Sequence, residues 1–243
     1  MRGNEGPQEE SSAALGCPPD YNRLMPTDLA PFLEPSDCAV IVFECQENVL
    51  GASTMLPGLA ASAREGGILQ NIAGLLRAGR EVGASVFYCT AERRAGGLGS
   101  ARTPLMDRIQ QKDDGPPAPA DTSVMKEIAP APGDVVIARS HGMSAFHDSG
   151  LDPCLRDLGT RTVIAVGVSL NIGLFGTALE AVNRGYRVIV PVDCTATDPP
   201  EYSEQILRYS VRHLAYLSTS EDISRIWKAC RDTSSKSGTT GPV

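Results

Sequence analysis

The chain has 243 residues, 42% of them hydrophobic, which is enough for one α/β domain of about 200 residues with a substantial core. Its formal net charge of −7 argues against a nucleic acid or an anionic membrane as partner, because phosphate recognition needs a basic surface. It also has no apolar run of about 18 residues and no signal-peptide core at its N-terminus, which predicts a cytoplasmic protein with no membrane partner.

Two end segments are predicted to lie outside the folded domain. Residues 1–30 are rich in Pro, Gly, Ser and Glu and predict a mobile arm, and residues 231–243 predict a disordered tail. The domain between them, residues 31–230, alternates strand and helix patterns. Apolar runs predict strands at 39–43, 85–89, 135–138, 163–168 and 188–192, and amphipathic spacing predicts helices at 68–80, 151–158 and 203–216, with one more ending at Gly185.

This alternation predicts a three-layer α/β/α sandwich with a mostly parallel central sheet of about six strands, because helices connect parallel strands. Folds of this kind bind ligands at the carboxyl ends of the strands. The turn after the strand at 163–168 opens at that edge and carries polar Ser169 and Asn171. Residues 91–120 form a long excursion that contains Gly and Pro, which predicts a lid or an active-site wall.

The cysteines and histidines do not indicate a metal site. The seven cysteines contain no CxxC pair, and the chain has only three histidines, so we predict no metal and no cofactor. Cysteines inside apolar runs are expected to be reduced and structural. Cys45 and Cys194 would supply a thiol nucleophile only if one of them entered the active site.

Five blocks of the sequence, in order, carry a family resemblance: VIVFECQEN, ILQNIAGLLRAGREVGASVFYCT, SAF at 144–146, SGLDPCLRDLGTRTVIAVGV and GVSLNIGLFGTALEA. In these blocks the chain resembles the isochorismatase-like hydrolases, the superfamily that also contains nicotinamidases and other cysteine amidohydrolases. The resemblance spans roughly residues 37–225 and implies the same α/β fold.

The resemblance implies that three residues carry the chemistry in the amidases of this family: an Asp ending the first strand, a Lys before the SAF block and a Cys opening a helix. Glu44 stands at the Asp position, Ser140 at the Lys position and Gly173 at the Cys position. Because Gly173 has no side chain, it cannot form an acyl-enzyme. Arg139 would replace the missing Lys only if it faced the site, and it is expected to face away, since neighbouring strand residues point to opposite faces.

Two functions therefore remain open. The isochorismatases proper, which this chain resembles in having Gly at the nucleophile position, hydrolyse an enol ether by acid catalysis. Glu44 would be the acid, because desolvation at the mouth of a buried sheet favours the neutral carboxyl. The alternative is a catalytically inactive member of the family that binds a ligand or a partner.

The substrate-binding candidates surround the same crevice. Backbone amides between Ser169 and Gly173, including that of Leu170, are predicted to bind an anion or a polarised carbonyl, unless they form an ordinary tight turn. The relatives often have a non-proline cis peptide at this turn. Gln46 would reach into the crevice or bond a neighbouring loop, and Asn171 would orient a ligand or, more commonly, cap the helix. The resemblance makes Phe146 a pocket wall.

The predicted partner is a small-molecule substrate. Arg93, Arg94 and Arg102 in the excursion would clamp a substrate that carries a carboxylate, unless they lie in a solvated loop. His141 is the histidine best placed to act as acid or base, although a surface position is the commoner one. Because the relatives are usually oligomers, the resemblance implies a homodimer or a higher homo-oligomer.

Overall fold

The structure is a computed structural model in which residues 28–92, 103–104, 107–108 and 121–237 are described. At its centre lies a seven-stranded sheet in the order β3-β2-β1-β4-β5-β7, with the short β6 paired to β4, and every strand pair is parallel. The strands are β1 Cys38–Phe43, β2 Ser85–Ala91, β3 Val135–Arg139, β4 Thr162–Val168, β5 Arg187–Pro191, β6 Thr195–Ala196 and β7 Tyr216–Ser218. The predicted α/β class is confirmed, with seven strands instead of about six.

Helices cover both faces of this sheet. The helices are α1 Glu47–Leu50, α2 Pro57–Glu65, α3 Ile68–Val82, α4 Leu151–Asp157, α5 Phe175–Asn183, α6 Tyr202–Tyr209 and α7 Ser220–Ser237. One apolar cluster joins the sheet to α2, α3 and α7, and a second joins it to α4, α5 and α6. These two clusters make the three layers that the sequence predicts.

The central strands explain where the site lies. Every residue of β1 and of β4 is buried, as expected for apolar strands covered by helices on both faces. Because β1 and β4 are parallel neighbours, their carboxyl ends meet at one edge of the sheet. The chain leaves β1 at Glu44 and leaves β4 at Ser169, so the two principal candidate segments are adjacent.

The structure differs from the predicted elements mainly after residue 200. The helix predicted at 203–216 ends at Tyr209, and Tyr216 lies in β7, which pairs with β5. Val211 lies in a short 3-10 turn, Val211–His213, and Leu214 directly follows it, so the apolar spacing resembles that of a longer helix. Helix α2 was not predicted. Helix α7 continues through Ser237, so part of the predicted tail at 231–243 is helical.

Several further expectations concern segments that the structure describes only in part. Most of the predicted arm and of the 91–120 excursion lies outside them, as do Arg93, Arg94 and Arg102. Within the described ranges, no helix combines the length and the apolarity that crossing a bilayer requires. Helix α5 and the turn before it expose Ile172, Leu179 and Val182. The predicted homo-oligomer stays a prediction.

Candidate active site

An ion pair between Glu44 and Arg139 lies at the carboxyl edge of the sheet. Glu44 directly follows β1 and has a φ of +50°, in the left-handed region. Arg139 is the last residue of β3, and β2 separates the two strands. Its Nη2 donates a hydrogen bond to Oε1 of Glu44. The expectation that Arg139 faces away from the site is therefore wrong, because Arg139 lies on the same face of the sheet as Ile137 and Phe43.

Both partners of this pair are largely withdrawn from solvent. The Arg139 side chain is 4% exposed and the Glu44 side chain is 21% exposed. Burial raises the pKa of the Glu44 carboxyl above its ordinary value, although the Arg139 guanidinium acts in the opposite direction by attracting the charged form. Glu44 is therefore a carboxyl whose proton affinity depends on what else contacts Arg139.

The aromatic ring of Phe43 occupies the space beside Gly173. The ring of Phe43, the last residue of β1, lies with its centroid 4.9 Å from Cζ of Arg139. A Cβ added at Gly173 would lie 2.3 Å from Cε1 of Phe43 and 3.2 Å from the carbonyl oxygen of Met143. Since carbon atoms do not approach to 2.3 Å, no side chain fits at Gly173 while Phe43 keeps this position.

The turn after β4 has the cis peptide that the resemblance implies, between Val168 and Ser169. A π-helical turn, Leu170–Leu174, follows it, and the Ser169 carbonyl accepts hydrogen bonds from the amides of Ile172 (3.3 Å) and Leu174 (3.0 Å). The Leu170 side chain belongs to the core, so Leu170 could bind a substrate only through its backbone.

Asn171 does not cap this turn. Ser169 is the N-cap residue, and it makes no side-chain capping bond. The Oδ1 atom of Asn171 is buried, with no hydrogen-bond partner among the described residues. The capping alternative is therefore wrong, and the ligand-orienting role remains a prediction.

Gln46 and Phe146 have structural roles instead of the predicted substrate contacts. Gln46 is fully buried; its Nε2 donates to the carbonyls of Ala91 (3.1 Å) and Thr122 (2.9 Å), and its Oε1 accepts from the Ala91 amide (2.7 Å). These bonds use both donors of the amide. Phe146 stacks on Tyr186 at 5.9 Å between ring centroids, and Arg184 covers its ring, so it is a core residue.

The loop after β3 carries the remaining predicted residues. Ser140 is half-buried directly after Arg139, but Arg139 supplies the cation beside Glu44. His141 lies 5.5 Å from His147, ring centroid to ring centroid. Ser144, to which the sequence assigned no role, has a buried Oγ without a partner in the described part of the chain.

The sequence analysis considered Arg139 as a replacement for the Lys and set it aside, and it assigned no role to Phe43. For Arg139 a signal existed, because residue 139 shares a strand face with the apolar Ile137, and a buried arginine needs a carboxylate partner. For Phe43 none did, since its neighbours Gly173 and Met143 are far away in the sequence.

The thiols of Cys45 and Cys194 lie away from Gly173 and the Phe43 ring. Cys45 and Cys194 lie in the apolar cluster beneath α3 and α7, whereas Phe43 belongs to the cluster on the opposite face. Burial raises the pKa of Cys45 to about 12 and that of Cys194 well above its ordinary value. A thiol becomes a nucleophile when its pKa is lowered, so these cysteines are structural. In the described ranges, no group of three or more His, Cys, Asp or Glu is placed to hold a metal ion.

The half-buried Glu44 carboxyl and the Arg139 guanidinium lie together at the strand ends of a parallel sheet, which is where α/β folds bind their ligands. The chain belongs to the isochorismatase family, because the model of the isochorismatase domain matches residues 38–222.

Relatives of this chain include amidohydrolases. Ureidoacrylate amidohydrolase RutB of Agrobacterium fabrum is 26% identical over 206 residues, covering 78% of this chain and 90% of the relative. Maleamate amidohydrolase of Pseudomonas putida is 28% identical over 159 residues, covering 62% and 68%. The crystal structure of a cysteine hydrolase from Pseudomonas syringae pv. phaseolicola matches with a TM-score of 0.66 and 25% identity, covering 80% of this chain and 94% of that one.

Proposed function

We propose that this member of the family hydrolyses a small molecule without a covalent intermediate, by acid-assisted cleavage of an enol ether or a related C–O bond. The observation that carries the proposal is Glu44, a half-buried carboxyl at the carboxyl ends of the strands, where desolvation favours its neutral form. The nucleophile position is Gly173, and the Phe43 ring fills the space beside it. An acid mechanism needs neither a thiol nor that space.

In the proposed reaction, the π electrons of the enol ether form a C–H bond with the Glu44 proton, and an oxygen lone pair stabilises the resulting oxocarbenium ion. Water adds to the carbon that carries the positive charge of this ion, and the added water returns a proton to the Glu44 carboxylate. The hemiketal then breaks its C–O bond and gives a ketone and an alcohol. Arg139 stabilises the Glu44 carboxylate between the two proton transfers, and backbone amides from Ser169 to Gly173 bind the polar part of the substrate.

The second candidate function is a catalytically inactive ligand-binding protein. The ion pair favours it, because Arg139 stabilises the charged form of Glu44, which has no proton to donate. The Phe43 ring favours it as well, because it removes space from the crevice. In this case the same crevice would bind a ligand without turning it over.

The experiment that separates the two functions measures turnover of enol ethers, amides and esters by the wild type and by Glu44→Gln. We expect enol-ether cleavage by the wild type and a loss of kcat by about a hundredfold or more in Glu44→Gln, because general acid catalysis contributes about that much. Glu127→Gln, the same change at an exposed carboxylate, serves as the control. Amide turnover that survives Glu44→Gln would contradict the mechanism, and no turnover on any compound would favour the ligand-binding protein.

The pH dependence of kcat gives an independent prediction. Only neutral Glu44 donates a proton, so kcat should be highest below the pKa of Glu44 and should fall as the pH rises through it. Because burial raises this pKa, the fall should lie above the ordinary range of a glutamate. The measurement is a kcat–pH profile over the range in which circular dichroism shows a folded protein. A kcat that rises through this region would assign a base role to Glu44 and contradict the proposal.

A further inference from the structure

Thr197 is a fully buried polar residue at the carboxyl edge of the sheet, directly after β6. Its Oγ1 atom has no hydrogen-bond partner among the described residues. A threonine hydroxyl both donates and accepts hydrogen bonds, and buried polar groups are nearly always bonded to protein or to water. This hydroxyl therefore indicates a small molecule that binds beside it.

A second buried oxygen belongs to the neighbouring turn. Strands β4 and β6 pair in parallel up to their last residues, so the residues that follow them, Ser169 and Thr197, are next to each other. The π-helical turn that Ser169 begins contains Asn171. The Oδ1 atom of Asn171 is buried and, within the described ranges, has no hydrogen-bond partner. Two unsatisfied oxygens therefore belong to one corner of the crevice.

Glu44 lies on the other side of this corner. Strands β1 and β6 flank the end of β4, and Glu44 and Thr197 directly follow them. Neighbouring strands are about 4.8 Å apart, so the backbones at Glu44 and Thr197 are separated by about 10 Å. A glutamate side chain, the two carbons of a substrate double bond and one water molecule fit within this span.

Water is the molecule that matches these two oxygens. A buried water makes about three hydrogen bonds, and here the Thr197 hydroxyl donates to one lone pair of the water while Oδ1 of Asn171 accepts one of its hydrogens. These two bonds leave the water one lone pair and one hydrogen. The acid mechanism uses both, because the lone pair attacks the oxocarbenium carbon and the hydrogen passes to the Glu44 carboxylate.

We infer that Thr197 and Asn171 bind the water molecule that adds to the oxocarbenium ion. The inference rests on the proposed function and deepens it by giving the second reactant a binding site. In this step a lone pair of the water forms the new C–O bond, and the π electrons of the oxocarbenium ion return to its oxygen. The proton that the water loses passes to the Glu44 carboxylate, so neutral Glu44 is regenerated.

Competition between water and methanol tests the inference, because methanol adds to the same carbon and gives a methyl ketal. The full-length protein turns over the enol ether with the highest kcat in buffer that contains methanol, and mass spectrometry measures the ratio of methyl ketal to ketone. The ratio in dilute acid without protein is the reference. The wild type should give a ratio about fivefold below the reference, since one hydrogen bond to the bound water favours it by about that factor.

Variants at the two residues locate the bound water. Thr197→Val keeps the shape of the side chain and removes its hydroxyl, so the ratio should rise about fivefold. Its kcat should stay close to that of the wild type, because proton transfer from Glu44 precedes the capture of the ion. Thr197→Ser keeps the hydroxyl and should keep the wild-type ratio. Thr162→Val, the same change at a buried threonine at the opposite end of β4, is the matched control and should also keep it.

A variant of Asn171 makes the test independent of the folding of Thr197→Val. Asn171 is half-buried, so Asn171→Leu places its apolar side chain at a tolerant position and removes the acceptor. The ratio of methyl ketal to ketone should rise in this variant as well. Circular dichroism establishes that each variant is folded.

The outcomes separate this inference from the proposed function. Loss of kcat in Glu44→Gln, with an unchanged ratio in Thr197→Val or, should that variant not fold, in Asn171→Leu, would keep the proposed function and overturn the inference. A wild-type ratio equal to the reference, or an equal rise in Thr162→Val, would overturn it too. No turnover of any enol ether by the wild type would reject both.

Discussion

Replacing Arg139 with methionine is expected to lower the free energy of unfolding by about 3–5 kcal/mol at neutral pH, since removing one partner of a buried ion pair leaves an uncompensated charge. Methionine keeps much of the apolar stem, so the loss should come mainly from the Glu44 carboxylate. Urea denaturation followed by circular dichroism measures the difference.

The loss should depend on pH in a direction that follows from Glu44. Burial already raises the pKa of this carboxyl, and removing Arg139 takes away the group that lowers it. A carboxyl whose pKa is higher in the folded than in the unfolded protein stabilises the fold below its unfolded value, and that stability is lost as the pH rises through the folded value. Arg139→Met should therefore be closest to the wild type in acid and should weaken progressively towards neutral pH.

Two further variants test the cause. Glu44→Gln combined with Arg139→Met removes both charges and should recover most of the lost stability, because replacing a buried pair by neutral groups is often nearly neutral. Arg161→Met breaks a surface pair with Asp37 and should change stability by less than about 1 kcal/mol. An Arg139→Met protein that is as stable as Arg161→Met at every pH would show that the buried ion pair does not form.

The fold could be predicted from the sequence because its strands coincide with local apolar runs. β1 and β4 are buried along their whole length, and their predicted positions agree with the structure within a residue or two. The error at 203–216 has a physical cause: β7 is a strand because β5 offers it a partner, and local spacing does not contain that pairing.

The site was predictable only in part, for a related reason. Glu44 and Gly173 were singled out because each stands at the end or start of an element that the sequence marks clearly. The contact of Arg139 with Glu44 depends on how β3, β2 and β1 align, because Arg139 lies on the same face of the sheet as Ile137 and Phe43, and the sequence does not contain that alignment. For Gln46 the sequence left two alternatives open, and the structure shows the bond to a neighbouring segment, because a buried amide looks the same in a sequence whether its partners are a substrate or the backbone of Ala91.

Introducing a cysteine at residue 173 by Gly173→Cys should destabilise the protein by about 3 kcal/mol and should not create an amidase. The new Cβ would lie 2.3 Å from Cε1 of Phe43, a fully buried ring that cannot swing into solvent. Overpacking of this kind forces a backbone shift or an unfavourable rotamer. Urea denaturation measures the loss, and hydrolysis of maleamate tests the activity.

A second substitution should relieve this conflict. Phe43→Val removes the ring, so Phe43→Val combined with Gly173→Cys should be more stable than the sum of the two single changes predicts, because the cysteine fills part of the cavity that valine leaves. If the double variant loses less stability than the two single variants together, the Phe43 ring and a side chain at residue 173 compete for one volume. Additive changes would instead mean that the chain moves at Gly173 and that the Phe43 ring does not restrict which side chain residue 173 can carry.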